Sequence, residues 1–342
     1  MPELGSGGAD PSPSDIAARC HGRVIAQAWH RGAGAWGRQR LGETEDRRLA
    51  AAEPRIRALP VWTGGITIAP LHGGLSNESY DVRDGGGRYV VRFGRDFPFN
   101  HVSREREVMN ARAAHEAGFA AELVHAEPGV MVTRFIEGRA FTEADVRANL
   151  ERIGRLVRDF HETMPKFVRG PGYLFWVFHV IRDYARTLRG TANPAVARLP
   201  ELLAVAEDLE RAQSPLPIIF GHNDFLPANL IDDGRKLWII DYEYAGFSTG
   251  MFDLAGIASN ASFSADEAVR LLASYFGGGP SEDLMRSHAA MMCASLLREA
   301  LWGLVSEIHM TATGTDYAAY AAENFSRFDA ALGRYRSQYK KA

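Results

Sequence analysis

The chain has 342 residues, enough for about two domains of ~150 residues each, and its 46% apolar and 24% charged residues exclude wholesale disorder. With 39 basic against 42 acidic residues the net charge is −3, so no overall positive field attracts nucleic acid or an anionic membrane. Two cysteines, Cys20 and Cys293, cannot build a disulfide framework, and no C-x-x-C pair exists.

The first 44 residues are rich in Gly, Ala, Pro and Ser with no sustained apolar period, and such a segment buries too little to offset its ordering entropy. A mobile leader is expected there. It has no basic-then-apolar signal pattern, and the longest strongly apolar run, Tyr173 to Ile181, is too short to span a bilayer. A cytoplasmic enzyme without nucleic-acid or membrane partners is the expectation. Residues 45–59 suit a short helix stopped near Pro60. From Ile66 the pattern turns to strands: Ile66 to Leu71, Glu78 to Val82 and Tyr89 to Phe93, separated by glycine-rich turns. Val102 to Ala117 has a helical period ending at Gly118, and two further strands, Glu122 to Ala126 and Val130 to Phe135, flank Glu127-Pro128-Gly129. After Gly138 the chain reads as mostly helical. Thr142 to Asp145 resembles a capping box, and Val146, Leu150, Ile153, Val157 and Phe160 recur at helical spacing. Helices are expected near 173–189, 194–212, 264–276, 282–310 and 316–339, interrupted by a β island from Pro217 to Tyr242.

That island carries the strongest chemical signal. His222-Asn223-Asp224-Phe225-Leu226-Pro227-Ala228-Asn229 has the H-x-D-x-x-x-x-N spacing of kinase catalytic loops, and Leu237 to Ile240 leads to Asp241. Phosphoryl transfer needs a carboxylate beside the attacking hydroxyl and oxygen ligands for Mg2+. Asp224 is expected to orient and deprotonate the hydroxyl, with Asn229 and Asp241 holding the metal. A hairpin between these last two, turning at Asp232-Asp233-Gly234, brings them onto neighbouring strands about 4.8 Å apart. His222 suits bracing of the loop better than proton transfer.

His222 to Leu230, Ile240 to Ala245, Phe252-Asp253-Leu254-Ala255 and Gly73-Gly74-Leu75-Ser76-Asn77 together resemble the choline/ethanolamine kinase branch of the aminoglycoside-phosphotransferase-like kinases. The resemblance spans about residues 66–310. It implies an α+β, two-lobed protein-kinase-like fold, with a nucleotide-binding lobe over 45–137 and a helical catalytic and acceptor lobe over 138–342, using ATP and Mg2+. Gly73, Gly74, Ser76 and Asn77 then belong to a loop around the ATP phosphates, since glycines let backbone N–H groups approach phosphate oxygens. Lysine occurs only at Lys166, Lys236, Lys340 and Lys341, so Arg92 stands where kinases place a phosphate-gripping lysine. Glu107 is its expected ion-pair partner, with Glu105 as rival. Met131 to Glu137 matches the adenine hinge.

On the acceptor side, Leu297 to Val305 resembles the choline kinase helix that supplies tryptophans to the ammonium cage. Trp302 matches the first tryptophan, and Val305 replaces the second. Asn260 stands where eukaryotic choline kinases have a glutamate, so Glu243, Glu299 and Glu307 are candidates to compensate, with Tyr244 as a further ring. Asp253 is expected to anchor the catalytic loop. The expected reaction is ATP-dependent phosphorylation of choline, ethanolamine or a similar amino alcohol. The alternatives are an aminoglycoside or other polyol phosphotransferase and, in another class, a nucleotide-binding pseudokinase.

Overall fold

The computed structural model describes residues 48–71, 77–310 and 315–339. The expectations for the leader and for Gly73, Gly74 and Ser76 lie outside them. A helix over residues 48–57 (α1) is followed by strands β1 (Thr67–Leu71), β2 (Glu78–Asp84), β3 (Gly87–Phe93), β4 (Leu123–Glu127) and β5 (Val130–Arg134). They form one antiparallel sheet in the order β1-β2-β3-β5-β4. Alternation along β3 decides its two faces: Tyr89, Val91 and Phe93 are buried and pack with Ala52 and Ile56 of α1. Arg88, Val90 and Arg92 therefore lie on the opposite face. Between β3 and β4 runs α2 (Arg104–Glu116), which ends as expected at Gly118, whose φ of +85° suits glycine.

The remainder is mainly helical. The capping box at Thr142 is present, with Asp145 as its other member. Where one helical run was expected there are two helices, α3 (Glu143–Ala148) and α4 (Leu150–Thr163). Asn149 breaks the run with non-helical φ −125° and ψ 30°, its side-chain amide donating to the Asp145 carbonyl at 2.8 Å. Helix α5 (Val177–Leu188) begins later than the aromatic run implies. Tyr173 and Phe175 instead exchange backbone hydrogen bonds with Phe247, both 2.7 Å, which holds that stretch extended. Helices α6 (Leu199–Arg211), α7 (Gly250–Asn260), α8 (Ala265–Phe276), α9 (Glu282–His309) and α10 (Tyr317–Tyr339) complete the lobe.

The β island contains β7 (Ile218–Gly221), β8 (Leu230–Asp232) and β9 (Leu237–Ile239), the last two paired as the expected hairpin. Two strands beyond expectation extend it. β6 (Arg139–Ala140) adds to β8, and β10 (Gly246–Thr249) pairs with β7. Phe160 of α4, fully buried, packs against Phe119, Phe225 and Tyr242 and joins the helices to the catalytic-loop region. Helix α9 is long and apolar enough to cross a bilayer, yet 83% of its most apolar window is buried inside the protein. That is the position of a core helix.

Candidate active site

The catalytic-loop sequence leaves β7 at Gly221 and is held from below by one carboxylate. Asp253, at the start of α7, accepts from the backbone N–H groups of His222 (2.8 Å) and Asn223 (2.7 Å) and from His161 Nε2 (2.8 Å). Its backing leaves no room above: a Cβ on Gly221 would come within 3.1 Å of Asp253 Oδ2 and 2.8 Å of Asn223 Oδ1. Asn223 adopts φ +60°, a left-handed conformation that Asn tolerates, and its amide reaches the carbonyls of Tyr244 and Gly246. His222 is completely buried, and Nε2 lies 3.0 Å from the Ile240 carbonyl, so this nitrogen carries the proton. The ring ties the loop to the segment leading to Asp241 and faces no opening. Here His222 is a brace.

Asn229 donates from Nδ2 to the Asp224 carbonyl at 2.9 Å, and its own carbonyl accepts from the Ile240 N–H at 3.0 Å. These bonds bring Asp224, Asn229 and the Ile240–Asp241 segment together, and among the described residues the Asn229 amide oxygen has no hydrogen-bond partner. Asp241 has φ +69°. Burial pushes the Asp224 carboxyl well above its ordinary range, opposed by Arg298 and reinforced by Glu299, Asp241 and Glu243. Burial also acts to raise Asp241, but the Arg92 guanidinium outweighs it, with help from His222 and Arg104, and holds that carboxyl below its usual value.

Arg92 crosses from the sheet to this segment. Nη2 meets Asp241 Oδ1 at 2.8 Å, Nη1 meets Glu107 Oε1 at 2.8 Å, and Glu243 lies 3.9 Å away. Glu107 is thus the partner and Glu105 is exposed. Arg104, on the first turn of α2, pairs with Glu107 and, at 3.0 Å, with Glu243. Glu243, a candidate for the acceptor side, has its carboxylate engaged by these arginines instead. Asn77 lies beside Gly94 and lines with Arg92, Arg104 and Glu107 a cavity of 650 Å³. In the stretch expected as the hinge, Phe135 lies 3.4 Å beneath the Arg88 guanidinium, which also pairs with Glu137 and Asp81.

The remaining acceptor candidates gather elsewhere, on α9 and its neighbours. Trp302 Nε1 donates to the Tyr244 hydroxyl at 2.9 Å, and its ring meets Tyr320 edge-on at 5.5 Å. Glu299 accepts from the Tyr320 hydroxyl at 2.8 Å and pairs with Arg298. Asn260 donates to the Phe225 carbonyl at 3.3 Å, one residue beyond Asp224. Glu307 is exposed. Two residues escaped the sequence reading. Arg104 looked like one of several surface charges on α2. Arg298 left a usable sign, an ionisable residue inside the apolar run Leu296 to Leu304.

Residues 67–322 match the model of the phosphotransferase enzyme family (APH). The chain belongs to this family. This phosphotransferase is 26% identical over 274 residues to protein LicA of Haemophilus influenzae, a match covering 76% of the chain and 77% of LicA. It is 24% identical to probable choline kinase 1 of Arabidopsis thaliana, over 77% of the chain and 86% of that protein. Among solved structures, a choline/ethanolamine kinase family protein from Mesorhizobium loti superposes with a TM-score of 0.69 at 28% identity, covering 84% of the chain and 97% of that structure. The phosphotransferase is accordingly of the choline/ethanolamine kinase type, with the protein-kinase-like fold and an alcohol group as acceptor.

Proposed function

We propose that this phosphotransferase transfers the γ-phosphate of ATP to the hydroxyl of a small amino alcohol, choline, ethanolamine or a relative, with Asp224 as base and Mg2+ held by Asn229 and Asp241. The observation that carries the reading is the convergence of Asp224, Asn229 and Asp241 beside Arg92. A metal fits there by donor chemistry. The free Asn229 amide oxygen and the Asp241 carboxylate are hard oxygen donors, and a partial protein shell completed by phosphate and water is what Mg2+ accepts. Among the described residues no three His, Cys, Asp or Glu side chains gather to cage a metal unaided. Bound there, Mg2+ would neutralise charge on the phosphates.

The chain's own groups do the rest. Asp224 orients the acceptor hydroxyl, whose oxygen bonds to the γ-phosphorus as the bond to the ADP oxygen breaks, and Asp224 takes the hydroxyl proton. Its carboxyl is raised by burial and so is a stronger base than a solvated aspartate. Arg92, fixed by Glu107, grips the phosphates. Trp302, Tyr244 and Tyr320 offer the ring faces and edges of an amine-binding wall.

The test is ADP release from ATP with each candidate acceptor, with and without magnesium. Magnesium-dependent turnover of an amino alcohol is expected. Turnover confined to aminoglycosides would favour the polyol reading, and tight nucleotide binding without ADP release would favour the pseudokinase.

A further inference from the structure

Helix α9 carries a cation that the phosphate-handling residues do not use. Arg298 is fully buried, and its guanidinium lies 4.5 Å over the Tyr244 ring. Nη1 pairs with Glu299, while Nε and Nη2 have no hydrogen-bond partner among the described residues. A buried guanidinium with two unsatisfied donors is costly, because its lost hydration is only partly replaced. The two open donors share one edge of the planar group, the edge whose spacing matches the two oxygens of a carboxylate. Arg298 sits among the acceptor-side candidates, over Tyr244, whose hydroxyl accepts from Trp302, and it is near enough to Asp224 for the two groups to act on each other's charge.

The nearby acids cannot serve a purely cationic acceptor well. Glu299 is held by Arg298 and the Tyr320 hydroxyl, Glu243 is paired with Arg104, and Asn260 is neutral. Besides Asp224 and the exposed Glu307, the acceptor-side candidates therefore present an arginine with donors to spare and carboxylates that already have partners.

We propose that Arg298 is a specificity residue reading an anionic group on the acceptor, so that the preferred substrate is an amino alcohol that also carries a carboxylate. The inference rests on the phosphotransfer reading above and narrows its acceptor. The carboxylate docks on the Nε and Nη2 edge, the ammonium faces Trp302 and Tyr320, and the hydroxyl lies at Asp224.

Matched acceptors that differ only by the carboxylate test this with the full chain, ATP and magnesium: ethanolamine against L-serine, and 3-amino-1-propanol against L-homoserine, with choline alongside. In at least one pair the carboxylated member is expected to have a kcat/KM at least about tenfold higher, mainly through KM. In Arg298→Met that ratio is expected to fall to about one, and Arg298→Lys to recover part of it. A wild type in which neither pair favours its carboxylated member, or in which choline is preferred to both L-serine and L-homoserine, overturns the inference and leaves the phosphotransfer reading standing, as does a ratio that Arg298→Met does not change. Turnover of none of the five acceptors removes the amino-alcohol reading and the inference together. Should Arg298→Met fail to fold, the wild-type ratios alone decide.

Discussion

Asp224 and Arg92 act on opposite ends of the proposed transfer, and substitutions should separate them. Asp224→Asn keeps the shape of the side chain and removes the base. We expect kcat to fall by about 10²–10⁴-fold with nucleotide binding retained, read by steady-state kinetics beside ligand-induced thermal shift. Near-normal kcat would remove Asp224 from the mechanism. Arg92→Met should act differently, raising KM for ATP, because the guanidinium is already oriented by Glu107 and Asp241 before any phosphate arrives. It also strips the buried Glu107 and the half-buried Asp241 of their shared cation. Glu107→Gln should reproduce part of the KM effect by freeing Arg92 to swing. Equal ATP KM values in wild type and Arg92→Met would end that assignment.

At the scale of elements, α7 is the member on which the loop depends. Asp253 on its first turn receives three donors, two of them loop backbone groups. Asp253→Ala leaves these buried donors open and should cost about 3–5 kcal/mol in chemical denaturation, the scale of a broken buried charged network. A cost below about 1 kcal/mol would show that α7 does not hold the loop. This helix was also the hardest element to read. All eleven of its residues are buried, so no polar face marks a 3.6-residue period and nothing distinguishes it from an apolar loop. Helix α4 was legible because Ile153, Val157 and Phe160 face the core while Arg152, Arg155 and Asp159 do not. The catalytic loop was legible because its spacing is local. The destinations of Glu243 and Arg298 were not, since those depend on which helix packs over them.

Helix α9 also carries a pH-sensitive element. His288 is buried, and desolvation pushes its pKa down to about 4 against an ordinary value of 6.5. The unfolded chain thus binds the extra proton first as pH falls. Its contribution to stability is complete above about pH 6.5 and is lost progressively as the pH falls toward 4, up to about 3 kcal/mol. Replacing it in His288→Leu should flatten the stability profile over that window, as followed by urea midpoints at several pH values. An identical acid limb in the variant would point to other groups.

At the scale of the whole molecule, sheet and helical lobe are joined by the ion pair of Arg92 with Asp241 and, through α2, by an apolar cluster that holds Ala111 and Ala114 with Phe160 and Leu254. The sheet's own apolar cluster, built from α1 and the strands, is separate from that one. A ligand bridging both should therefore raise the melting temperature, with nucleotide at about 100 times its Kd adding about 2.7 kcal/mol. Magnesium-ATP that produced no shift at such concentrations would contradict a cleft site.

The contact between Arg92 and Asp241 joins positions 149 residues apart in the chain. One of these two groups is proposed to grip phosphate and the other to hold the ion that accompanies it. Arg92 and Asp241 neutralise one another, so on the proposed roles loading the cleft would be an exchange of partners, phosphate replacing the carboxylate on Arg92. Uncomplexed nucleotide would leave that displaced carboxylate facing a second anion. The chelated form would supply a cation for it, so on the proposed roles the cleft would favour magnesium-bound over uncomplexed nucleotide.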